Sequence, residues 1–248
     1  MSIERGDNMS LDKLRKVIKE SNNIVFFGGA GVSTESKIPD FRSASGLYNE
    51  KTKMNYSPEK ILSHSFFMDH TKEFYDFYKS KMIYTDAKPN DAHLALAELE
   101  KMGKLKAVIT QNIDGLHQSA GSKEVLELHG SVHRNYCTKC RKFFSLDYVI
   151  KSEEVPRCDD CGNIIKPDVV LYEESLDMGI LYKSIDYIQK CQVLIVAGTS
   201  LTVYPAAGLI SYFNGKDLIL INKSKTPYDK LAGIVINDSV GKTLGSVI

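Results

Sequence analysis

Residues 24–34 read Ile-Val-Phe-Phe-Gly-Gly-Ala-Gly-Val-Ser-Thr. A short unbroken run of β-branched and aromatic side chains is a strand buried on both faces, and the glycines turn the chain tightly at its end. Glycines at such a turn let backbone amides approach a pyrophosphate, and the start of a following helix favours its charge. As G-x-G-x-x-G the match is incomplete, because Thr34 stands where the last glycine belongs. No acidic residue ends a second strand about 20 residues on, as a dehydrogenase fingerprint requires. Read alone, the turn fits a phosphate site and a plain strand-to-helix turn equally.

The same texture recurs outward. Apolar runs at 106–110, 125–128, 166–172, 193–197 and 218–222 read as strands, several ending in small or polar residues: Gln111-Asn112, His129-Gly130, Gly198-Thr199-Ser200 and Asn222. Helical periodicity covers 11–20, 58–82, 92–101, 180–190, 206–212 and 240–247, with a short helix after Gly115. Strands alternating with helices predict an α/β fold built on a doubly wound parallel sheet, which binds ligands at the carboxyl ends of its strands. The Phe/Tyr-rich stretch 66–78 reads as the core of a helical module.

Between 131 and 165 the texture changes to short mixed segments holding Cys137-x-x-Cys140 and, 17 residues later, Cys158-x-x-Cys161. Each pair sets two sulfurs on one turn, and two turns complete a tetrahedral thiolate site for zinc. With all four positions filled by cysteine, no coordination site stays open, so the zinc is expected to be structural. The fifth cysteine, Cys191, precedes an apolar run and reads as a small core residue.

At the strand ends, Gln111, Asn112 and Asp114 cluster polar groups, and Asp114 also suits the cap of the following helix. His129, at the ligand edge, is a candidate general base, with His117 and His133 as rivals; His64, His70 and His93 read as surface or packing residues. Neither Ser33 nor Ser200 sits in a G-x-S-x-G elbow. The formal charge of +1 gives no electrostatic footprint for nucleic acid. No apolar run approaches the ~18–20 residues that span a bilayer, and the polar first ten residues lack a signal-peptide core. The expectation is a cytoplasmic monomer with no membrane and no nucleic-acid partner.

Taken together, GAGVSTESKIPDFR (29–42), TQNIDGLH (110–117), HG (129–130), the four cysteines, KPDVVLYEE (166–174), GTSLTVYPAA (198–207) and INK (221–223) resemble the sirtuin family of NAD-dependent protein deacylases, in the family's order and over nearly the whole chain. The resemblance implies a Rossmann-like NAD-binding domain (1–42, 86–130 and 166–248) and a smaller domain joining a helical module (43–85) to the zinc module (131–165). It implies that Ala30, Thr34 and Arg42 hold the NAD phosphates and ribose, and that Phe41 covers the nicotinamide ribose. Gln111 and Asn112 would hold that ribose, and Ile113 and Asp114 the carboxamide. Thr199, Ser200, Asn222 and the backbone near Val240 would face the adenosine half. In the family's mechanism the acetyl-lysine carbonyl oxygen attacks C1′ of the nicotinamide ribose and nicotinamide leaves. His129 then activates a ribose hydroxyl to attack the imidate, and water adds to the resulting adduct to release free lysine and O-acetyl-ADP-ribose. Asn112 is the second catalytic residue, Cys137, Cys140, Cys158 and Cys161 hold one Zn2+, and acetylated lysine in a peptide would add along the edge strand formed by Val169, Val170, Leu171 and Tyr172.

Three departures stand out. Lys37 occupies a position where the family usually has glycine; if the backbone there needs φ > 0, lysine costs about 1 kcal/mol. Glu173 replaces another common glycine. Members preferring acidic acyl groups carry Tyr-x-x-Arg in the helical module; the nearest match is Tyr75-x-x-Tyr78, with no arginine to pair a carboxylate, so neutral acyl groups are expected. Mono-ADP-ribosyl transfer from the same NAD site is the enzymatic alternative; an NAD oxidoreductase, a zinc-ribbon nucleic-acid module and a non-catalytic NAD sensor are the other classes.

Overall fold

The computed structural model describes residues 3–41, 43, 46–49 and 56–248. The glycine-ended run is the centre of a six-stranded sheet. Strand β1 (Ile24–Gly28) lies between β2 (Leu105–Thr110) and β7 (Val193–Ala197), with β3 (Val125–Glu127) outside β2, and β8 (Asp217–Ile221) and β9 (Ile234–Ile236) beyond β7. Every pairing is parallel. The chain steps outward from β1 in one direction through β2 and β3, then returns to start β7 on the other side. The reversal therefore falls between β1 and β7, where the carboxyl ends of two strands part and leave a crevice.

All five β1 residues are buried because both faces are covered. On one face Phe26 and Ile195 pack with Leu14 and Ile18 of α1 (Ile3–Glu20), Leu96 and Leu99 of α5 (Asp91–Lys101) and Leu244 of α9 (Val240–Gly245). On the other, Val25, Phe27 and Val196 pack with Ile188 of α8 (Met178–Lys190) and Leu209 and Ile210 of a 3₁₀ segment, Ala206–Tyr212. Cys191 lies on this face of the large sheet, its thiol bonded to the Ile188 carbonyl, as expected of a small apolar residue.

A second sheet, β4 (Gly130–Cys137), β5 (Phe143–Ser145) and β6 (Ile165–Val169), is antiparallel in the order β5-β4-β6. It shares one apolar core with the helical stretch: Phe66, Phe74, Tyr75, Phe77 and Tyr78 pack with Val132, Phe144, Ile165 and, from α7 (Leu146–Lys151), Val149.

Five local expectations are revised. The single helix over 58–82 is three: α2 (Pro58–Ile61), α3 (His64–Asp69) and α4 (Thr71–Lys81). Ser57 starts the first, its hydroxyl accepting the Lys60 amide, and Ser63 interrupts the run because its hydroxyl accepts the Phe66 amide and starts the second; at His70 the backbone leaves the helix (φ −133°, ψ +47°) before the third begins. The 206–212 helix is 3₁₀ rather than α. The glycine turn leads into two 3₁₀ turns, Ala30–Val32 and Thr34–Ser36, not into a regular helix. The edge strand around 169–172 ends at Val169. Strand β9, a three-residue run between Gly233 and Asn237, is absent from the sequence reading. Among the described residues no helix is long and apolar enough to cross a membrane.

Candidate active site

At the crevice the two central turns touch. The Gly31 amide donates to the Gly198 carbonyl at 2.8 Å, and the Gly29 amide to the Ala197 carbonyl at 3.1 Å. A Cβ on Gly31 would lie 2.7 Å from the Gly198 Cα, and one on Gly198, whose φ is +61°, 2.4 Å from the Val32 amide nitrogen. Close contact between two strand-end turns therefore already demands these glycines. Ala30 and Thr34 line the cavity above, and the Thr34 hydroxyl donates to the Gly31 carbonyl at 3.0 Å.

The segment after β2 locks onto the same turn. The Gln111 amide donates to the Gly28 carbonyl, and its side-chain nitrogen to the Thr199 hydroxyl at 3.1 Å. The Asn112 side-chain nitrogen donates to Ser33 Oγ at 3.0 Å, and that hydroxyl donates to Asp114 Oδ2 at 2.7 Å. The other Asp114 oxygen accepts the Leu116 amide at 2.9 Å, so Asp114 also caps α6 (Leu116–Ser119), although Gly115 holds the cap position. Ser33 is buried and was missed as a site residue; only its place inside the glycine turn hinted at it. Ile113 is half-buried, lines the cavity and packs against the second core.

His129 sits on the two-residue link between β3 and β4, past the end of the strand it was expected to close. Its Nδ1 lies 2.9 Å from the Gln111 carbonyl, which only accepts, so Nδ1 carries the proton and Nε2 keeps its lone pair. Burial pushes its pKa below the usual histidine value, against the pull of that hydrogen bond. The rivals fall away. His117 is buried against His93, ring centroids 4.7 Å apart, does not line the cavity, and is pushed down to about 3 by burial. His133 lines the cavity but commits Nε2 to the Asp114 carbonyl at 3.1 Å.

Toward β8, the Asn222 side-chain oxygen accepts the Thr199 amide at 2.8 Å. Its amide nitrogen is buried with no partner. An unmet donor there is costly unless a ligand meets it. Ser200 is exposed and bonded to Thr202. Val240 lies on the wall at the start of α9, and the Glu35 carboxylate accepts the amides of Gly241 (2.7 Å) and Lys242 (3.3 Å). Phe41 packs edge-on against Tyr48 at 5.4 Å. Arg42 lies outside the described residues.

On the opposite wall, the Val170 amide donates to the His129 carbonyl at 3.0 Å, and the Tyr172 amide to the Leu62 carbonyl. Val169 and Leu171 face the second core, and the Tyr172 hydroxyl meets that of Tyr48 at 2.5 Å. Lys37 and Glu173 both have positive φ, +66° and +76°. Glu173 uses its carboxylate to accept the Ser65 amide and hydroxyl at the start of α3. Tyr75 and Tyr78 are buried in the second core and do not line the cavity, so the acyl preference does not follow from them.

One cavity of about 1420 Å3 joins all these walls. That exceeds the ~300–1,000 Å3 of a single small-ligand pocket, leaving room for a dinucleotide and a side chain entering from the Val169–Tyr172 side. The unmet Asn222 donor and the amide-rich turns fit a dinucleotide.

The four cysteines meet away from this cavity. Cys137 and Cys161 sulfurs are 3.4 Å apart, and Cys140 lies 3.6 Å from both Cys158 and Cys161. Zinc–sulfur bonds of about 2.3 Å place tetrahedral sulfurs about 3.8 Å apart. These spacings are far too long for disulfides and fit one zinc. The amides of Lys139 and Cys140 point at Cys137 Sγ, as they do toward a thiolate. The ion would pin the end of β4 to the turn before β6.

Known proteins match along nearly the whole chain. The family model described as Sir2 family matches residues 29–205. An "NAD-dependent protein deacetylase" of Clostridium tetani is 65% identical over 95% of this chain and 96% of its own length, and one of Clostridium perfringens 63% over 96% and 98%. Among solved structures, a Sir2 protein with a deacetylated p53 peptide and 3′-O-acetyl ADP ribose has a TM-score of 0.87 at 40% identity, covering 94% of this chain and 95% of the other. A Sir2 complex with a p53 peptide and NAD+ has a TM-score of 0.83 at 40% identity, covering 96% of each.

Proposed function

The chain belongs to the Sir2 family, and we propose on that basis that it is an NAD-dependent protein-lysine deacetylase, moving acetyl from lysine to ADP-ribose. The observation that carries this reading is the single cavity in which the glycine turn, His129 and the Val169–Tyr172 edge face one another.

NAD, consumed as co-substrate, supplies the activated ribose carbon and the leaving nicotinamide. The residues around it divide the rest. The amides near Ala30, with Thr34 and Arg42, are assigned to its phosphates and ribose. Thr199, Ser200, Asn222 and the Val240 backbone are assigned to the adenosine half. Gln111 and Asn112 hold the nicotinamide ribose; Asn112 is itself held by Ser33, which also orients Asp114 toward the carboxamide. A leaving group of this kind needs its ribose posed and kept from water, which the apolar walls of Phe41 and Ile113 provide. His129 enters neutral, Nδ1–H on the Gln111 carbonyl, and takes the proton of a ribose hydroxyl at Nε2.

The peptide is assigned to the edge continuing β6, where Val169, Val170, Leu171 and Tyr172 border the cavity. The apolar residues of this edge line the cavity, which favours neutral acyl groups. The zinc lies outside the chemistry and holds the antiparallel sheet together. We read 1–42, 86–130 and 166–248 as the cofactor domain and 43–85 with 131–165 as the small domain, on the strength of the core the latter two share. Free thiols set for a metal suit a reducing, cytoplasmic setting. A monomer is our further reading, checked by size-exclusion chromatography.

The test is mass spectrometry of an acetyl-lysine peptide with and without NAD. NAD-dependent loss of acetyl, with nicotinamide and O-acetyl-ADP-ribose appearing together, is the expected result. NAD consumption with the peptide still acetylated moves the assignment to ADP-ribosyl transfer or NAD hydrolysis.

A further inference from the structure

Strand β4 does not pair evenly with β6. Ser131 faces Asp168, but the next matched residue is Asn135, which faces Pro167. Three residues of β4 thus oppose no step of β6. A bulge of this kind bends its strand and re-aims side chains, often beside an active site. Here it brings the Val132 amide and the His133 and Arg134 side chains to the edge of the large sheet, while the Val132 side chain stays in the core of the antiparallel sheet. The Val132 amide donates to the Ile113 carbonyl at 3.0 Å, and His133 reaches the Asp114 carbonyl.

Arg134 goes furthest. Its Nε donates to Asp168 Oδ2 at 2.7 Å, and one terminal nitrogen to Glu127 Oε2 at 2.6 Å. The Glu127 side chain is only 7% exposed, and its other oxygen accepts Gln118 Nε2 of α6 at 2.8 Å. A buried carboxylate with both oxygens met by side chains is a built junction, unlike an ordinary surface ion pair. Glu127 ends β3, two residues before His129; Asp168 lies opposite Ser131, two residues after it. Between them, Gly130 has φ +74°, and a Cβ there would fall 1.8 Å from the Asp168 carbonyl oxygen.

We propose that Arg134 is a positioning residue for His129, clamping both sides of the link that carries the base and tying it through Glu127 and Gln118 to the helix after Asp114. The clamp sets where Nε2 stands relative to the ribose hydroxyl. It does not touch substrate. This rests on the deacetylase reading, in which nicotinamide departs before the base is used.

The order of those steps provides the test. In Arg134→Met, peptide-dependent nicotinamide exchange reports the step before the base, and O-acetyl-ADP-ribose formation the step that needs it. Because Met leaves Glu127 buried and unpaired, the double variant Glu127→Gln/Arg134→Met is measured beside it, with zinc content and melting temperature for all proteins. We expect deacetylation to fall about 10- to 100-fold, as for a reacting group displaced by roughly 1 Å, while exchange stays within about twofold and zinc stays full. Arg134→Lys, keeping charge but not the two-way fork, should recover only part of the loss. Deacetylation within about twofold of wild type in folded, zinc-loaded variants overturns the proposal. So does a parallel fall of exchange and deacetylation, which marks a purely structural residue. A wild-type protein with neither reaction overturns the deacetylase reading and this inference with it.

Discussion

Replacing Lys37 by glycine should make the protein more stable. Lys37 ends the 3₁₀ turn Thr34–Ser36 at φ +66°, ψ +19°, in the left-handed region. A side chain with a Cβ pays about 1–2 kcal/mol there. Glycine removes that strain but gives the unfolded chain more freedom, which costs about 0.4–1 kcal/mol. Since Lys37 is exposed, little packing is lost. The net gain is about 0.5–1 kcal/mol, or a rise in Tm of about 1–4 °C for a chain of this size. Glu173 is the internal control. Its φ is +76°, yet its carboxylate holds the Ser65 amide and hydroxyl at the start of α3. Glu173→Gly relieves the same strain and loses both bonds, so its Tm should not rise. Calorimetry on the zinc-loaded proteins, checked by denaturant midpoints, measures both. A Tm of Lys37→Gly at or below wild type would refute the strain argument. Equal rises in the two variants would show that the Glu173 bonds contribute nothing.

Further outcomes follow from the site. His129→Ala should lower deacetylation by about 10²–10⁴-fold while NAD binding, followed by calorimetric titration, survives. Because burial holds the His129 pKa below its ordinary value, the base is neutral through neutral pH. The acid limb of kcat/KM should therefore fall below about 6.5; a limb above that value contradicts the buried-base geometry. His117 is held neutral, its pKa about 3 in the folded protein. The unfolded chain therefore binds this proton first as pH drops. Stability is fully present above about pH 6.5 and is lost progressively down to about pH 3. His117→Phe should flatten that acid loss in denaturation curves taken across the window. Chelating the metal, or Cys137→Ala, should unfold the β4–β6 sheet and abolish activity, read by zinc content and circular dichroism; an active zinc-free protein would contradict a structural ion.

Much of this protein is decided locally. Unbroken apolar runs make β1, β2, β7 and β8 buried parallel strands wherever they lie. Two C-x-x-C turns make a tetrahedral thiolate site, and His129 and Asn112 sit where a parallel sheet binds ligands. These features depend on neighbours within a few positions, so the order of residues carries them. Tertiary structure decides what depends on distant partners. Three histidines stood near strand ends, and only packing buries His117 against His93, ties His133 to the Asp114 carbonyl and leaves His129 with a free Nε2. Ser33 becomes part of the site because β1 and β2 bring Asn112 and Asp114 to it across about eighty residues. Tyr75 and Tyr78 look like selectivity residues until the second core encloses them. The bulge in β4 has no local mark at all: it exists because one strand must pair with β6 and also reach the Ile113 carbonyl, and the geometry of both sheets sets that compromise.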